Sequence, residues 1–496
     1  MATDPTQRTY RAPCPACGAP VEFRSAQSTH AVCGYCKSTV VRSGEVLTRI
    51  GKMAELFDDH SPLQLMASGR IQLDGKDLSF TLVGRLQYKS DAGVWTEWSA
   101  FLQDGTLATL GEDNGAYVFT RPIDPGREMP EAARFLIGST TAINGTPYSV
   151  AYTGQAQLIS AQGELPKLPP LGQLFDMVEL RSADGEVVSI DYGHQPPGVE
   201  RGKAVLLEDL QLTGLKDESA KDETGRQFSC PHCGAPVHVQ LASTKSVTCG
   251  SCASIIDLSA GVGAELLSAE QNDTVRPLIA LGSKGQLQGV HWQVVGFQQR
   301  TGLEPGDDEA FGWSEYLLYN QKRGFAFLVD SEDGWSMVRP TTGAPQLAAS
   351  GSSATYLGNT YQLKYSYNAE TTYVTGEFYW QVTRGQKTFN RDFDSGKGLL
   401  SMEQGANEIT WSSGDKLASD TVIEAFKLQD NKNALQRSDP GPFVAAKGIG
   451  CASIILIAVV ILILLVLLSN CSGSSGSGYR SSGGSFGGYS SGGSHK

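Results

Sequence analysis

Cys14, Cys17, Cys33 and Cys36 recur with the same spacing at Cys230, Cys233, Cys249 and Cys252. Each set reads C-x2-C-x15-C-x2-C, and no other feature constrains the fold as tightly. Two C-x2-C knuckles about 15–20 residues apart form a zinc pattern. Each knuckle turns two thiolates towards one ion, and two knuckles close a tetrahedron with sulfurs about 2.3 Å from the metal. The chain is therefore expected to hold two Zn2+ ions on these eight cysteines. Four thiolates leave no coordination position for water or substrate, so both sites read as structural. No secretory signal precedes the first set, and duplicated spacing argues against disulfides, which places the bulk in a reducing compartment.

The two ribbons also match around their ligands. CPACGAPV at 14–21 is answered by CPHCGAPV at 230–237. Gly18, Gly234, Gly34 and Gly250 are expected at positive φ, freeing amides to face the sulfurs. His232, inside a knuckle that already has its four thiolates, reads as a solvent-facing residue. A net charge of −12 and a pI near 5.2 weigh against a nucleic-acid surface. The ribbons carry few basic side chains: Arg11, Arg24, Lys37 and Arg42 in the first, Arg226 and Lys245 in the second.

Residues 449–468 are twenty positions without a charge. A helix of about 20 residues rising ~1.5 Å each spans ~30 Å, a bilayer's hydrocarbon core. A single C-terminal transmembrane helix is expected there, after a linker over 437–448 that contains Pro440 and Pro442. Residues 469–496 are rich in Gly and Ser and too poor in apolar side chains to form a core. Lys432, Arg437 and Lys447 precede the helix and only Arg480 follows it closely, which puts the N-terminal bulk in the cytoplasm and the tail outside. Cys451 reads as a small apolar residue in the bilayer. Cys471, like the helix itself, is a candidate for self-association.

A second pattern repeats between the ribbons. LSFTLVG at 78–84 is answered by VHWQVVG at 290–296, and both alternate as half-buried strands that end at a Gly. WTEW at 95–98 matches WSEY at 313–316, GAYVFTRP at 115–122 matches GWSMVRP at 334–340, and NGTPY at 144–148 matches GNTY at 358–361. GEL at 163–165 then matches GEF at 376–378, and a short insertion around 305–309 explains the drift in offset. Asp-Gly or Asn-Gly pairs at 74–75, 104–105, 114–115 and 184–185 are hairpin turns. The fold class is mainly β: two zinc ribbons, each followed by an antiparallel meander that closes into a sandwich or barrel. Val46, Leu47, Ile50, Met53, Ala54 and Phe57 form one apolar stripe, predicting a helix that links the first ribbon to its β-domain.

These motifs resemble the domain-of-unknown-function family 4178, with each copy preceded by a zinc ribbon. The likeness departs most around 165–172, where three Pro residues stand in place of an expected extended segment. It implies no chemistry. It does imply bacterial origin and company with membrane-associated or stress-response proteins, hence a single-pass protein of the bacterial inner membrane. The chain divides into ribbon 1 (1–45), β-domain 1 (46–225), ribbon 2 (226–258), β-domain 2 (259–436), linker, span and tail.

Glu97 and Glu315 sit in the aromatic strands, and Glu164 and Glu377 begin another strand after a Gly. Paired carboxylates could do acid–base work. The simpler reading is that each accepts hydrogen bonds from strand-end amides or faces solvent. No His recurs in matching positions of the two copies, and no G-x-S-x-G motif lies in the β-domains. No catalytic residue is therefore assigned. The expected function is a non-enzymatic, membrane-anchored interaction protein or scaffold with protein partners of unknown identity. The alternatives are a nucleic-acid-binding ribbon protein at the membrane and an enzyme using the paired glutamates.

Overall fold

The computed structural model describes residues 10–437, apart from 53–60, 217–225, 259–267, 270–274 and a number of single or paired positions. Eight of the strands that follow the first ribbon build a barrel: β1 (Lys76–Ser90), β2 (Gly93–Leu102), β3 (Leu107–Asp113), β4 (Ala116–Pro122), β5 (Thr146–Leu165), β6 (Leu174–Arg181), β7 (Glu186–Asp191) and β8 (Gly198–Val205). They form two antiparallel four-stranded meanders. β4 pairs with β8 and β5 pairs back onto β1, so these eight strands close into a barrel, and Ser68–Leu73 extends the sheet along the start of β1.

The second copy repeats this order with β9 (Val290–Leu303), β10 (Phe311–Asn320), β11 (Gly324–Ser331), β12 (Gly334–Pro340), β13 (Asn359–Phe378), β14 (Lys387–Asp394), β15 (Gly398–Gln404) and β16 (Ile409–Leu417). β12 pairs with β16, and β13 closes onto β9. The predicted insertion lies in the β9–β10 connection, which runs from Leu303 to Phe311 where β1 and β2 are joined between Ser90 and Gly93.

Both faces of these strands are buried, each against a different partner. Trp98, Ala100, Phe80 and Phe119 point outwards from barrel 1 and are covered by Leu63 and Leu210 of the flanking segments. Tyr316, Leu318, Leu328 and Trp335 of barrel 2 lie beneath Val422, Ile423 and Phe426 of helix α1 (Ser419–Phe426) and beneath Leu435. Inside, Arg300 on β9 reaches Glu403 on β15 at 3.3 Å. Those strands are not neighbours, so the contact crosses the barrel. In barrel 1, Thr109 on β3 reaches over β4 to Glu200 on β8 at 3.1 Å.

The turn glycines behave as their dipeptides predict: Gly75, Gly105, Gly115 and Gly185 all take positive φ between strands. At the entry to β5, Asn144 and Gly145 both do so, the signature of a type I′ turn. The Gly of each Val-Gly motif does not end its strand. β1 and β9 run on through Gly84 and Gly296, where the ladder to the next strand shifts register. Gly84 lies opposite Gly163, and Gly296 opposite Gly376. A Cβ on Gly84 or Gly296 would meet the carbonyl of Glu164 or Glu377, so only glycine allows this approach.

The helix expected from Val46 onwards is a strand. Val46–Lys52 pairs antiparallel with Ser38–Ser43, in a register that sets Ser43 opposite Val46. Alternating β-branched Val46, Thr48 and Ile50 suit a ladder with a partner two residues away, whereas a short helix must first meet its nucleation cost. Met53, Ala54 and Phe57 lie outside the described residues. The prolines near 165–172 displace no strand either: β5 ends at Leu165 and β6 starts at Leu174, as β13 ends at Phe378 and β14 starts at Lys387. Among the described residues no helix is long and apolar enough to cross a membrane. The expected span at 449–468, the tail, Cys451 and Cys471 fall outside them.

Candidate metal centres

Each ribbon is two hairpins set face to face. Tyr10–Pro13 and Pro20–Phe23 flank the first knuckle, and His30–Val32 and Ser38–Ser43 flank the second. The four sulfurs of each set converge, with every ligand atom within 4.8 Å of the others. Cys14 to Cys36 is 3.8 Å and Cys17 to Cys33 is 3.7 Å. Cys230 to Cys252 and Cys233 to Cys249 are each 3.7 Å. Four sulfurs about 2.3 Å from a central ion lie ~3.8 Å apart, so both sets fit a tetrahedral ion of zinc size without rearrangement. The hydrogen-bonded turns hold this arrangement. Gly18 and Lys37 amides donate to the Cys14 and Cys33 carbonyls at 2.8 and 3.0 Å, and Gly234 and Ala253 repeat the pattern at 2.9 Å each.

Positive φ falls on the residue after each second cysteine: Gly18, Lys37, Gly234 and Ala253. Gly34 and Gly250, expected to share it, do not. Sequence reasoning also missed Ser38 and Ser254, although each follows the last cysteine of its set at the same offset. Ser38 pulls the Cys36 thiol down to about 6, chiefly through its hydroxyl. Ser254 pulls Cys252 down to about 5 in the same way, with an S···O distance of 3.3 Å. Each serine hydroxyl thus favours the thiolate, the form that binds a metal, at its own cysteine, while hydrogen bonds from the other sulfurs of the set push the Cys17 and Cys233 thiols up to about 12. His232 is exposed and outside the sulfur cluster, as expected, but its Nδ1 lies 2.9 Å from the Ser254 hydroxyl. It therefore touches the site through Ser254, and Ala16 at the matching place cannot.

The ribbons are joined to the barrels by the Gly-Glu motif. Glu164 and Glu377 end the long strands β5 and β13 rather than begin strands. The Glu164 carboxylate accepts from the amides of Arg24 and Ser25, both at 2.6 Å. Glu377 accepts from the amides of Gln240 and Leu241 at 2.8 and 3.0 Å, and from the Thr244 hydroxyl at 2.6 Å. Strand pairing runs alongside: Glu164 lies opposite Ala31, and Glu377 opposite Val247. The acceptor reading of these two carboxylates therefore holds, with the amides supplied by the preceding ribbon.

Glu97 and Glu315 have a different setting. Both face the barrel interior and accept from the indole two residues back, Trp95 at 3.0 Å and Trp313 at 2.7 Å. Burial and then Glu200 push the Glu97 carboxyl up to about 8, with Asp191 and Glu179 adding to the rise. Glu164 is not among the groups that act on Glu97, so the Glu97/Glu164 pair of the enzyme alternative does not form.

Residues 67–206 and 280–419 match the family described as a domain of unknown function (DUF4178), together more than half of the 496 residues. The chain belongs to that family. Each DUF4178 match encloses the eight strands of one barrel and leaves its ribbon outside, so the domain is the barrel and the four-cysteine set is what precedes it. A comparison with curated proteins returned no match. Within the DUF4178 copies the duplicated motifs resolve into two physical roles. Val-Gly and Gly-Glu build the seam with the ribbon, and Trp-x-Glu lines the barrel.

Proposed function

We propose that this DUF4178 protein is a non-enzymatic scaffold that presents two ribbon-and-barrel modules to protein partners from the face of a membrane. The observation that carries this reading is the seam. A closed four-thiolate ribbon is fixed to each barrel by a shared ladder and by a carboxylate that satisfies ribbon amides, an arrangement suited to holding a surface in place. The copies also contact one another: the Ala344 and Leu357 amides donate to the Ser182 and Ala183 carbonyls at 3.0 Å each, and Arg323 pairs with Glu208. Two linked modules gain avidity without any new contact.

The chain between barrel 2 and the apolar segment supports tethering. Arg437 forks onto Asp330 at 2.7 and 2.8 Å, and the Trp335 indole donates to the Leu435 carbonyl at 2.8 Å. The polypeptide is thus fastened to barrel 2 directly before the linker. Eleven residues then separate Arg437 from 449, and at no more than ~3.5 Å each they keep the barrel within ~40 Å of the bilayer.

Crosslinking in intact membranes followed by capture of the full chain tests the proposal. The expected result is a specific set of protein partners that disappears when 449–496 is deleted and the body is released. Partners retained undiminished by a fully released body would refute the role of the tether. Reporters fused at both ends test orientation, and a tail reporter active only in the cytoplasm would reverse it.

A further inference from the structure

The two barrels keep one receptor and differ in what occupies it. In barrel 2, Arg300 stands opposite Trp313 on the ladder. Its guanidinium lies over the Trp313 ring at 5.6 Å, 3.8 Å from Glu315 and 3.3 Å from Glu403. Gln298, opposite Glu315, donates to that carboxylate at 2.6 Å. An aromatic face and two carboxylates around a planar cation are the surroundings a guanidinium favours. The group is sealed in, with Arg300 2% and Glu315 1% exposed.

Barrel 1 retains the receptor and lacks the cation. Trp95 and Glu97 stand where Trp313 and Glu315 do, and Asp191, opposite Met177, takes the place of Glu403, opposite Asn390. Tyr88 replaces Arg300 opposite the tryptophan, and Leu86 replaces Gln298 opposite the glutamate. A further carboxylate enters from β8: Glu200 accepts from Thr109 and Thr120. Among the described residues neither Glu97 nor Glu200 has an ion pair, and Asp191 has His194 alone at 3.8 Å. Trp95, Glu97, Asp191 and Glu200 are all partly exposed, whereas Arg300 and Glu315 of barrel 2 are buried and Glu403 alone of its trio is partly exposed.

We propose that the interior of barrel 1 is a binding site for a guanidinium group brought by a ligand, held by Glu97, Glu200 and Asp191 beside the Trp95 ring, as barrel 2 holds its own Arg300. The same group could come from a free small molecule or from an arginine side chain of a peptide. Tyr88, buried and stacked on Trp95 at 5.3 Å, supplies a second ring beside the indole. Because Glu97 faces Glu200, Asp191 and Glu179 with Tyr88 and Trp95 beside it, binding strengthens as pH rises towards about 8 and Glu97 ionises. The ligand's guanidinium stays charged throughout.

The test uses the full zinc-loaded chain titrated by calorimetry with methylguanidinium and with N-methylurea, its neutral near-isostere. Agmatine and acetyl-arginine-amide then separate the two sources, the tighter binder naming the one the site prefers. Methylguanidinium is expected to bind and N-methylurea not to. Glu97→Gln is expected to lose at least about tenfold in affinity. Tyr88→Arg, which installs the cation in cis, is expected to abolish binding. Zinc content and melting check that each variant is folded, and if Tyr88→Arg fails that check Glu97→Gln alone decides. No binding by the wild-type chain above pH 8, equal binding of N-methylurea, or undiminished binding by folded Glu97→Gln would each overturn the proposal.

Discussion

Glu377 is the most consequential carboxylate at the second seam, and its replacement separates a structural role from a catalytic one. Glu377→Ala removes the acceptor of two ribbon amides and one buried hydroxyl, at 2.8, 3.0 and 2.6 Å. Hydrogen bonds to a charged group are worth roughly 1.5–3 kcal/mol each, and donors left buried without partners cost a similar amount. Gln240 is exposed, so water rescues its amide in part. The loss then comes to about 4 kcal/mol, or roughly 10 °C in the melting of a module of this size. Glu377→Gln keeps one acceptor oxygen but turns an amide donor towards ribbon donors, and is expected to cost about half as much. Glu164→Ala, with two amides at stake, should fall between the two.

The measurement is calorimetric melting of the full chain, together with zinc content and the rate at which a chelator strips the metal. Both zinc ions should remain, since the sulfurs are untouched, while the ion of the second ribbon is lost faster because that ribbon opens more often. A Glu377→Ala protein that melts within 1 kcal/mol of wild type would refute the seam. A Glu377→Gln protein with unchanged melting and zinc release that fails in the cell would instead point to chemistry at that carboxylate.

Three further outcomes are expected. The full chain should contain two zinc ions by elemental analysis, and replacing Cys14 and Cys17 with Ser should remove one and unfold the first ribbon, because structural zinc binding energy, of order 10 kcal/mol, is folding energy. Arg437→Ala should destabilise barrel 2 by about 3 kcal/mol by leaving Asp330, 7% exposed, without its cation, and Asp330→Asn in the same chain should recover much of the loss in a double-mutant cycle. Glu97 holds a proton in the folded state up to about pH 8, while an unfolded carboxyl releases it near 4.5. Stability should therefore fall as pH rises through that window, by at most about 5 kcal/mol before solvent screening, and Glu97→Gln should flatten the melting-against-pH curve relative to wild type.

What was legible in the sequence was local or duplicated. The cysteine spacing, the turn dipeptides and the order of the paired strands each depend on a few neighbouring residues, and they led to the ribbons, the antiparallel meander and the position of the inserted loop. The stripe at Val46 misled because a helical period and a strand rich in β-branched residues share apolar positions, and the choice was made by Ser38–Ser43 pairing alongside. Glu164 and Glu377 were visible as a motif, but their partners lie more than 130 residues away. Only the closed fold brings them together.

The interior was the least legible part, for a reason that bears on how the copies diverged. In an ordinary two-layer sheet, alternation separates core from solvent, but here both faces are covered, one by the barrel and one by flanking segments. Arg300 stands in the run QQRTG, which reads as an exposed polar strand, yet it is among the most buried cations of the described residues. Its burial is tolerable because Glu315, Glu403 and Thr388 complete its surroundings. When Tyr88 stands at that position the acids remain, and beyond what His194 and Lys167 offset at Asp191 their mutual repulsion is relieved by protonation or by a cation from outside. Retaining Trp95, Glu97 and Asp191 around a missing arginine imposes a stability penalty above neutral pH that a simple apolar interior would avoid. That penalty is the physical reason to look for a ligand in barrel 1 and not in barrel 2.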